Sequence, residues 1–302
     1  MKIRFDRPVS TAARLSRRCG IFSGLLTVAA LLGHRLAGLS APNMAILLVT
    51  AVVAAGLTLV LATAGLRSLW VTGARGGIDC LVALVFAVPA LVCGSFVAER
   101  YILFPKLYDV STDISSAPEW LVTPAADQGW LPARKPVTAQ DRELQTEAYP
   151  ELTGRRYDGA IDRVLDAVKK VARLQGIHIV KSQGDAAPAD DTPRAPMRPK
   201  QNGEAVPDAP ELVAVPTPRP FDDDVAQLIR RADGVVLQGE ARSLVLGLRF
   251  DVVIRLHEEA ETTLVDIRVA SRYGPHDLGF SKTIAEDYLK ALDAELLGIA
   301  GS

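Results

Sequence analysis

Cysteine is scarce and confined: the 302-residue chain has three, Cys19, Cys80 and Cys93, and residues 99–302 have none. That absence excludes a disulfide framework, a zinc knuckle and a cysteine nucleophile from the C-terminal two thirds. Histidine is almost as sparse. His178, His257 and His276 are the only ones in that region, without H-E-x-x-H or any other paired spacing, so no metal site is expected. No G-x-S-x-G elbow is present, and no cofactor is expected. Net charge is also nearly lacking, at −1, but the figure hides two opposite parts. Residues 1–98 carry nine Lys/Arg against two Asp/Glu, a balance of +7, and residues 99–302 carry a balance of −8. This division argues against a simple soluble enzyme, and an acidic domain repels nucleic-acid phosphate.

What the front third has instead is long uncharged runs. Met44 to Ala64 contains no charge, and Ile78 to Ala98 contains only Asp79 at its edge, with Pro89 inside. Each is about 21 residues, the length that crosses ~30 Å of hydrocarbon as a helix. Neither has the polar face that a soluble helix would need. In lipid, a helix satisfies its own backbone, and Pro89 is expected to kink the third span rather than break it. A first span begins at Cys19, with His34 and Arg35 placed to snorkel to the headgroups at its far end. The alternative is a signal peptide made of the Arg-rich start and a short apolar core, although no A-x-A site follows. Lys2, Arg4, Arg7, Arg14, Arg17 and Arg18 hold the N-terminus in the cytoplasm by the positive-inside rule. Three crossings then leave the chain after Glu99 outside, in the periplasm of a Gram-negative cell. The expected organisation is a basic cytoplasmic segment at 1–18, a three-helix transmembrane region at 19–98 in the inner (plasma) membrane, and a periplasmic domain at 99–302.

Residues 99–155 are rich in turn formers and poor in periodicity, which predicts a segment wrapped across a domain and anchored by Trp120, Trp130 and Tyr149. A helix follows, with Asp158 as N-cap, a stripe of Ile161, Val164, Leu165, Val168, Val171 and Ala172, and a stop at Gly176. Ile177–Val180 reads as a strand. Nine of the 19 prolines fall in 182–220, which predicts a flexible insertion, with a proline-rich docking site as the sharper alternative. Val235–Val245, Leu248–Leu256 and Leu264–Ala270 read as antiparallel strands. A four-residue loop at 258–261 would pair His257 with Thr262, Ile254 with Val265, Val252 with Ile267 and Phe250 with Val269, and set Asp251 beside Arg268. A capping box at Thr283–Glu286 opens a last helix with a stripe of Ile284, Tyr288, Leu289, Leu292 and Leu296. The fold class expected is three N-terminal transmembrane helices followed by an α+β domain, an antiparallel sheet with helices packed on one face.

Between the last strand and the last helix stands SRYGPHDLGF, residues 271–280, dense in special residues. Together with YDVSTDISSAPEW (108–120), AYPEL (148–152), FDVVIRL (250–256) and IRVASRYGPHDLGF (267–280), it resembles the domain of unknown function 1499 family, over most of residues 105–297. The three-span front is similar to the membrane-anchored members. The proline-rich insertion departs from the family, as do Ser281 and Lys282, where the family pattern has an Asn and a further polar residue. The resemblance implies a fold and a location, and no activity.

Ser271, His276 and Asp277 have the residue types of a hydrolytic triad, but adjacent His and Asp seldom join one relay. His178 and His257 sit at strand positions that face solvent, and Asp222–Asp224 are a solvated charge run. One reading of Arg272 and Asp277 is a buried salt-bridge and capping network locking the turn to the wrapping segment. The other is a ligand site built from Asp113, Tyr149, Arg268, Ser271, Arg272, His276 and Asp277, in which arginine would suit a carboxylate or a phosphate headgroup. Three functions remain open: a tethered module binding an envelope lipid, cell-wall fragment or membrane protein; an envelope hydrolase or transferase; and a structural partner of another membrane protein. Enzymatic activity is the less favoured.

Overall fold

The structure, a computed structural model, describes residues 9–184 and 234–298. Three helices come first: α1 (Thr11–Leu36), α2 (Ala41–Thr72) and α3 (Gly77–Leu103), continuous through Pro89. At ~1.5 Å per residue, their 26, 32 and 27 residues span about 39, 48 and 40 Å, more than the ~30 Å of hydrocarbon. They are therefore longer than the apolar runs alone suggest. Their mutual contacts are made by small residues. The buried stripe of α1 is Ala13, Ser16, Gly20, Ser23, Gly24, Thr27 and Ala30, which recur with the helical period along one face. Ala13 of this stripe clusters with Ala62 of α2, and Ala51 and Ala55 of α2 cluster with Ala87 and Ala90 of α3, all at most 1 % exposed. A Cβ at Gly20 would collide with the Ala83 backbone. Lipid gives helices no hydrophobic reason to associate, so close backbone approach and interhelical hydrogen bonds must do it. One such bond runs from the Ser23 hydroxyl to Ala51 O at 2.8 Å. The first apolar stretch is thus a full member of the bundle.

The rest is an α+β domain: β1 (Asp109–Ser111), α4 (Ala139–Ala148), β2 (Arg155–Asp158), α5 (Ile161–Leu174), β3 (His178–Gln183), β4 (Val235–Arg242), β5 (Arg249–Glu258), β6 (Thr262–Ser271) and α6 (Phe280–Leu296). The antiparallel sheet runs β1-β6-β5-β4-β3, and β2 shares with β1 the outer edge of β6. One sheet face is apolar. Leu237, Phe250, Val252, Ile254, Leu256, Val265, Ile267 and Val269 pack there against Val164, Val168 and Val171 of α5 and Tyr288, Leu289 and Leu292 of α6. The segment 112–137 lies over the other, polar face, as a wrapping segment should. The Gln238 amide accepts from Val122 N–H and donates to Val122 O, both at 2.8 Å, and Arg255 donates to Ser116 O at 2.9 Å.

Several local expectations change. The β5–β6 hairpin closes two residues tighter than the alternation alone implies: Ile254 faces Ile267, Val252 faces Val269 and Leu256 faces Val265. A slip of two keeps every side chain on its face, so hydrophobic alternation cannot detect it. The cross-strand charges could. Arg255 now opposes Asp266, with a 2.7 Å ion pair, and Asp251 turns to Arg272 instead of Arg268. Asp158 ends β2 and does not cap α5, whose N-cap is Ala160. Thr283 lies inside α6, its hydroxyl donating to Gly279 O at 3.1 Å, so no capping box forms there. Asp277 does that work by accepting from Gly279 N–H at 2.8 Å and Ser281 N–H at 3.0 Å. A capping box does occur, unforeseen, at Thr138 and Asp141 of α4. Of the insertion expected at 182–220, Ser182 and Gln183 belong to β3, and most of the remainder lies outside the described residues. Trp130 is 54 % exposed rather than an interior anchor, yet its indole N–H donates to Pro42 O at 2.9 Å.

The domain is joined to the spans by more than the covalent chain. Arg100 of α3 donates to Leu278 O at 2.8 Å, and its guanidinium sits 4.3 Å from the centre of the Phe280 ring. Tyr101 stacks on His276 at 4.9 Å, and Phe104 fills the space that a side chain at Gly279 would need. Leu278 is held left-handed at φ 58, a conformation that costs a non-glycine residue about 1 kcal/mol or more and persists when surroundings impose it. At the other side of the bundle, His34 Nε2 lies 3.1 Å from Gly247 O, and Arg35 donates to Leu244 O at 2.8 Å. His34 and Arg35 therefore hold the domain, where the sequence suggested snorkelling to headgroups. The density of special residues in SRYGPHDLGF is the requirement of a tight joint.

Candidate functional site

Three arginines, Arg255 of β5, Arg268 of β6 and Arg272 just after β6, lie along the polar face and each meets carboxylates. Arg255 pairs with Asp266 at 2.7 Å and Asp113 at 2.8 Å; Arg268 pairs with Asp109 at 2.7 Å; Arg272 pairs with Asp251 and with Glu240 at 2.9 Å. Burial alone would raise the Asp113 carboxyl, but hydrogen bonds from Ser116 N–H, the Ser115 hydroxyl and Arg255 outweigh it and hold the group below its ordinary value. The bond from Arg272 likewise lowers Glu240, and the bond to Asp251 raises Arg272. A guanidinium beside an ionised partner stays charged, so this ladder is permanent at neutral pH.

The seven residues singled out in the sequence separate into three places. Asp113 and Arg272 belong to the ladder. Tyr149, Ser271, His276 and Asp277 lie in or beside the joint: the Ser271 hydroxyl donates to Tyr273 O at 2.9 Å, His276 Nδ1 accepts from Leu278 N–H at 2.8 Å, and Asp277 caps α6. Ser271, His276 and Asp277 therefore serve separate partners and form no relay. Burial pushes the carboxyl of Asp277 up, and burial likewise raises the Tyr149 phenol. The Tyr149 hydroxyl, Ser281 hydroxyl and His276 Nε2 are buried without a hydrogen-bond partner among the described residues.

Arg268 alone opens onto a cleft. This cleft holds about 450 Å³ between β1 and the wrapping segment, and Tyr108, Asp109, Trp120, Arg134, Lys135 and Arg268 line it. The Arg268 guanidinium is 4.8 Å from the Trp120 ring centre and donates to Pro118 O at 2.8 Å, which fixes one wall. Arg134 supplies the other. It donates to Ser271 O at 2.7 Å and Pro124 O at 2.9 Å and lies 5.7 Å from the Tyr108 ring centre. Among the described residues it has no carboxylate partner, unlike the three sheet arginines. Three cations and one carboxylate thus border a partly apolar space with two aromatic rings. A second groove, about 270 Å³ between α5 and α6, is crossed by the 2.7 Å Lys170–Glu295 pair, which neutralises its charge. Arg268 and Trp120 stand out in the sequence, whereas Arg134 and Lys135 do not. Those two lie in a turn-rich stretch with no periodicity, where nothing local marks them.

The sequence model of a family described as Protein of unknown function (DUF1499) matches residues 109–292, the outer domain from β1 into α6. No curated protein and no solved structure matches the chain.

Proposed function

The chain belongs to the family Protein of unknown function (DUF1499), and from that premise we propose that it is a membrane-anchored binding module whose outer domain takes an anionic, partly apolar ligand in the cleft beside β1. The observation that carries this reading is Arg134, a half-buried cation aimed by two carbonyl oxygens and lacking a carboxylate among the described residues. A buried charge is costly to leave uncompensated, and a carboxylate or phosphate with a ring or aliphatic body would suit the cleft. A domain on the periplasmic side of the inner membrane is supported by charge. Arg14, Arg17, Arg18, Arg67 and Arg75 gather at the bundle end opposite the domain, whereas Arg35 and Arg100 at the near end are engaged by domain carbonyls.

The test uses the full chain in nanodiscs with Trp70→Phe and Trp130→Phe, which leaves Trp120 as the only tryptophan. Titration with phenyl phosphate is expected to change its emission saturably, with inorganic phosphate acting more weakly, and Arg134→Gln is expected to weaken binding about tenfold or more. Absence of a saturable response, or one that Arg134→Gln leaves unchanged, overturns the reading. A C-terminal alkaline phosphatase fusion should be active, and activity of a cytoplasmic reporter in its place would reverse the orientation.

A further inference from the structure

The hairpin between β4 and β5 carries two large aliphatic side chains that no described residue covers, Leu244 at 84 % exposure and Val245 at 58 %. Their backbone is firmly built. Ser243 N–H donates to Leu248 O at 2.9 Å, Gly247 N–H to Ser243 O at 3.1 Å and Leu248 N–H to the Ser243 hydroxyl at 3.0 Å. Gly247 supplies the left-handed turn at φ 71, and Leu246 is folded back into the core. One aliphatic residue is thus held inward and two outward, an arrangement unfavourable against water.

The height of this tip is fixed by α1. Arg35, one residue before the last of that helix, donates to Leu244 O, and His34 meets Gly247 O. Leu244 and Val245 therefore stand at the level of the domain-side end of α1, the end at which that helix meets the membrane surface if it spans. At the base of the tip, Arg242 and Arg249 face one another directly across the strands. Neither has a carboxylate within 4.0 Å among the described residues, and the neighbouring Glu240 is bonded to Arg272. Like charges in direct cross-strand register repel, and Glu240, the carboxylate whose charge acts on both, is shared with Arg272, so a headgroup layer rich in phosphate adds the counter-charge the pair is short of.

We propose that the Leu244–Val245 tip inserts into the leaflet surrounding the domain-side ends of the spans, with Arg242 and Arg249 on phospholipid phosphates. The domain then rests on the bilayer itself as well as on the three helices. This is independent of what the cleft binds.

The experiment uses the full chain with Cys19→Ser, Cys80→Ala and Cys93→Ala in nanodiscs of zwitterionic and anionic phospholipid. A single environment-sensitive fluorophore is placed at Leu244→Cys or, as control, at Ala260→Cys in the β5–β6 turn, at the opposite end of β5. Nitroxide on the lipid acyl chains is expected to quench the 244 label several-fold more than the 260 label, and aqueous iodide is expected to do the reverse. Adding Arg242→Gln and Arg249→Gln should reduce the nitroxide effect in anionic discs. Equal iodide access at both labels overturns the proposal. So does a 244 label shielded from iodide and nitroxide alike, which would mean that a second copy of the chain covers the tip. A nitroxide effect indifferent to the two arginine substitutions removes the role given to phosphate.

Discussion

The bundle and the outer domain are held together by different physics. The bundle core is alanine, glycine and serine, and its association rests on backbones brought close. The domain core is Phe250, Ile254, Leu256, Ile267, Tyr288 and Leu292, all at most 1 % exposed, backed by an arginine–carboxylate ladder on the second face. In water, large apolar side chains gain by leaving the solvent; between helices in lipid they gain nothing by it, and only shape and hydrogen bonding remain. The joint uses both. Phe96 of α3 and Phe104, its C-cap, pack on the domain core, while Arg100 bonds a carbonyl there and covers Phe280.

The largest effect is expected at Asp109, which is 4 % exposed and accepts from both Arg268 and Arg142. Asp109→Ala leaves two half-buried guanidinium groups unpaired and should cost the domain about 3–5 kcal/mol in denaturant unfolding. The bundle should stay assembled; joint unfolding of both parts would break the distinction drawn above. Gly20→Val should act the other way, loosening α1 from α3 by about 1–3 kcal/mol through overpacking. Cross-linking between the helices should fall, and hydrogen exchange in β4–β6 should remain protected. Arg100→Met tests the joint, where losing a charged hydrogen bond should cost about 1.5–3 kcal/mol. The expected signature is faster exchange at 276–280 with no change in β5.

The smallest effect concerns acid. The carboxyl of Asp113 titrates lower in the folded protein than in the unfolded chain, so its contribution is present above about pH 4 and is lost as pH falls through the depressed value. Asp277 is raised, so the sign is opposite: it favours folding most in acid and loses that increment as pH rises through its folded value. Melting curves should therefore show the deficit of Asp113→Asn shrinking below about pH 4. A deficit that stays constant with pH would remove Asp113 from the ladder's acid sensitivity.

Much of this was legible in the chain. Two apolar runs of membrane-spanning length gave α2 and α3, the stretch from Cys19 gave α1 only against a signal-peptide alternative, and alternation at 248–256 and 264–270 gave β5, β6 and the inward face. The fold class follows from those patterns. The candidate site was less legible. Arg268 was found because it stands on a patterned strand, whereas Arg134 and Lys135 stand on a segment whose only order is the sheet beneath it. The residues of SRYGPHDLGF were recognisable as special, but their partners Arg100, Tyr101 and Phe104 lie about 175 residues earlier in the chain, as the Arg100–Leu278 bond shows by its separation of 178.

The amino-acid sequence by itself determined which segments are long and apolar enough to cross lipid, which face of each strand is buried and where charge collects, because burial and charge repeat with the period of the local backbone. Tertiary structure alone decided the two-residue shift of the hairpin, the carboxylate each arginine takes and the docking of the domain on the helix ends. Those outcomes compare arrangements that satisfy every local pattern equally, and only contacts between distant parts of the chain separate their energies.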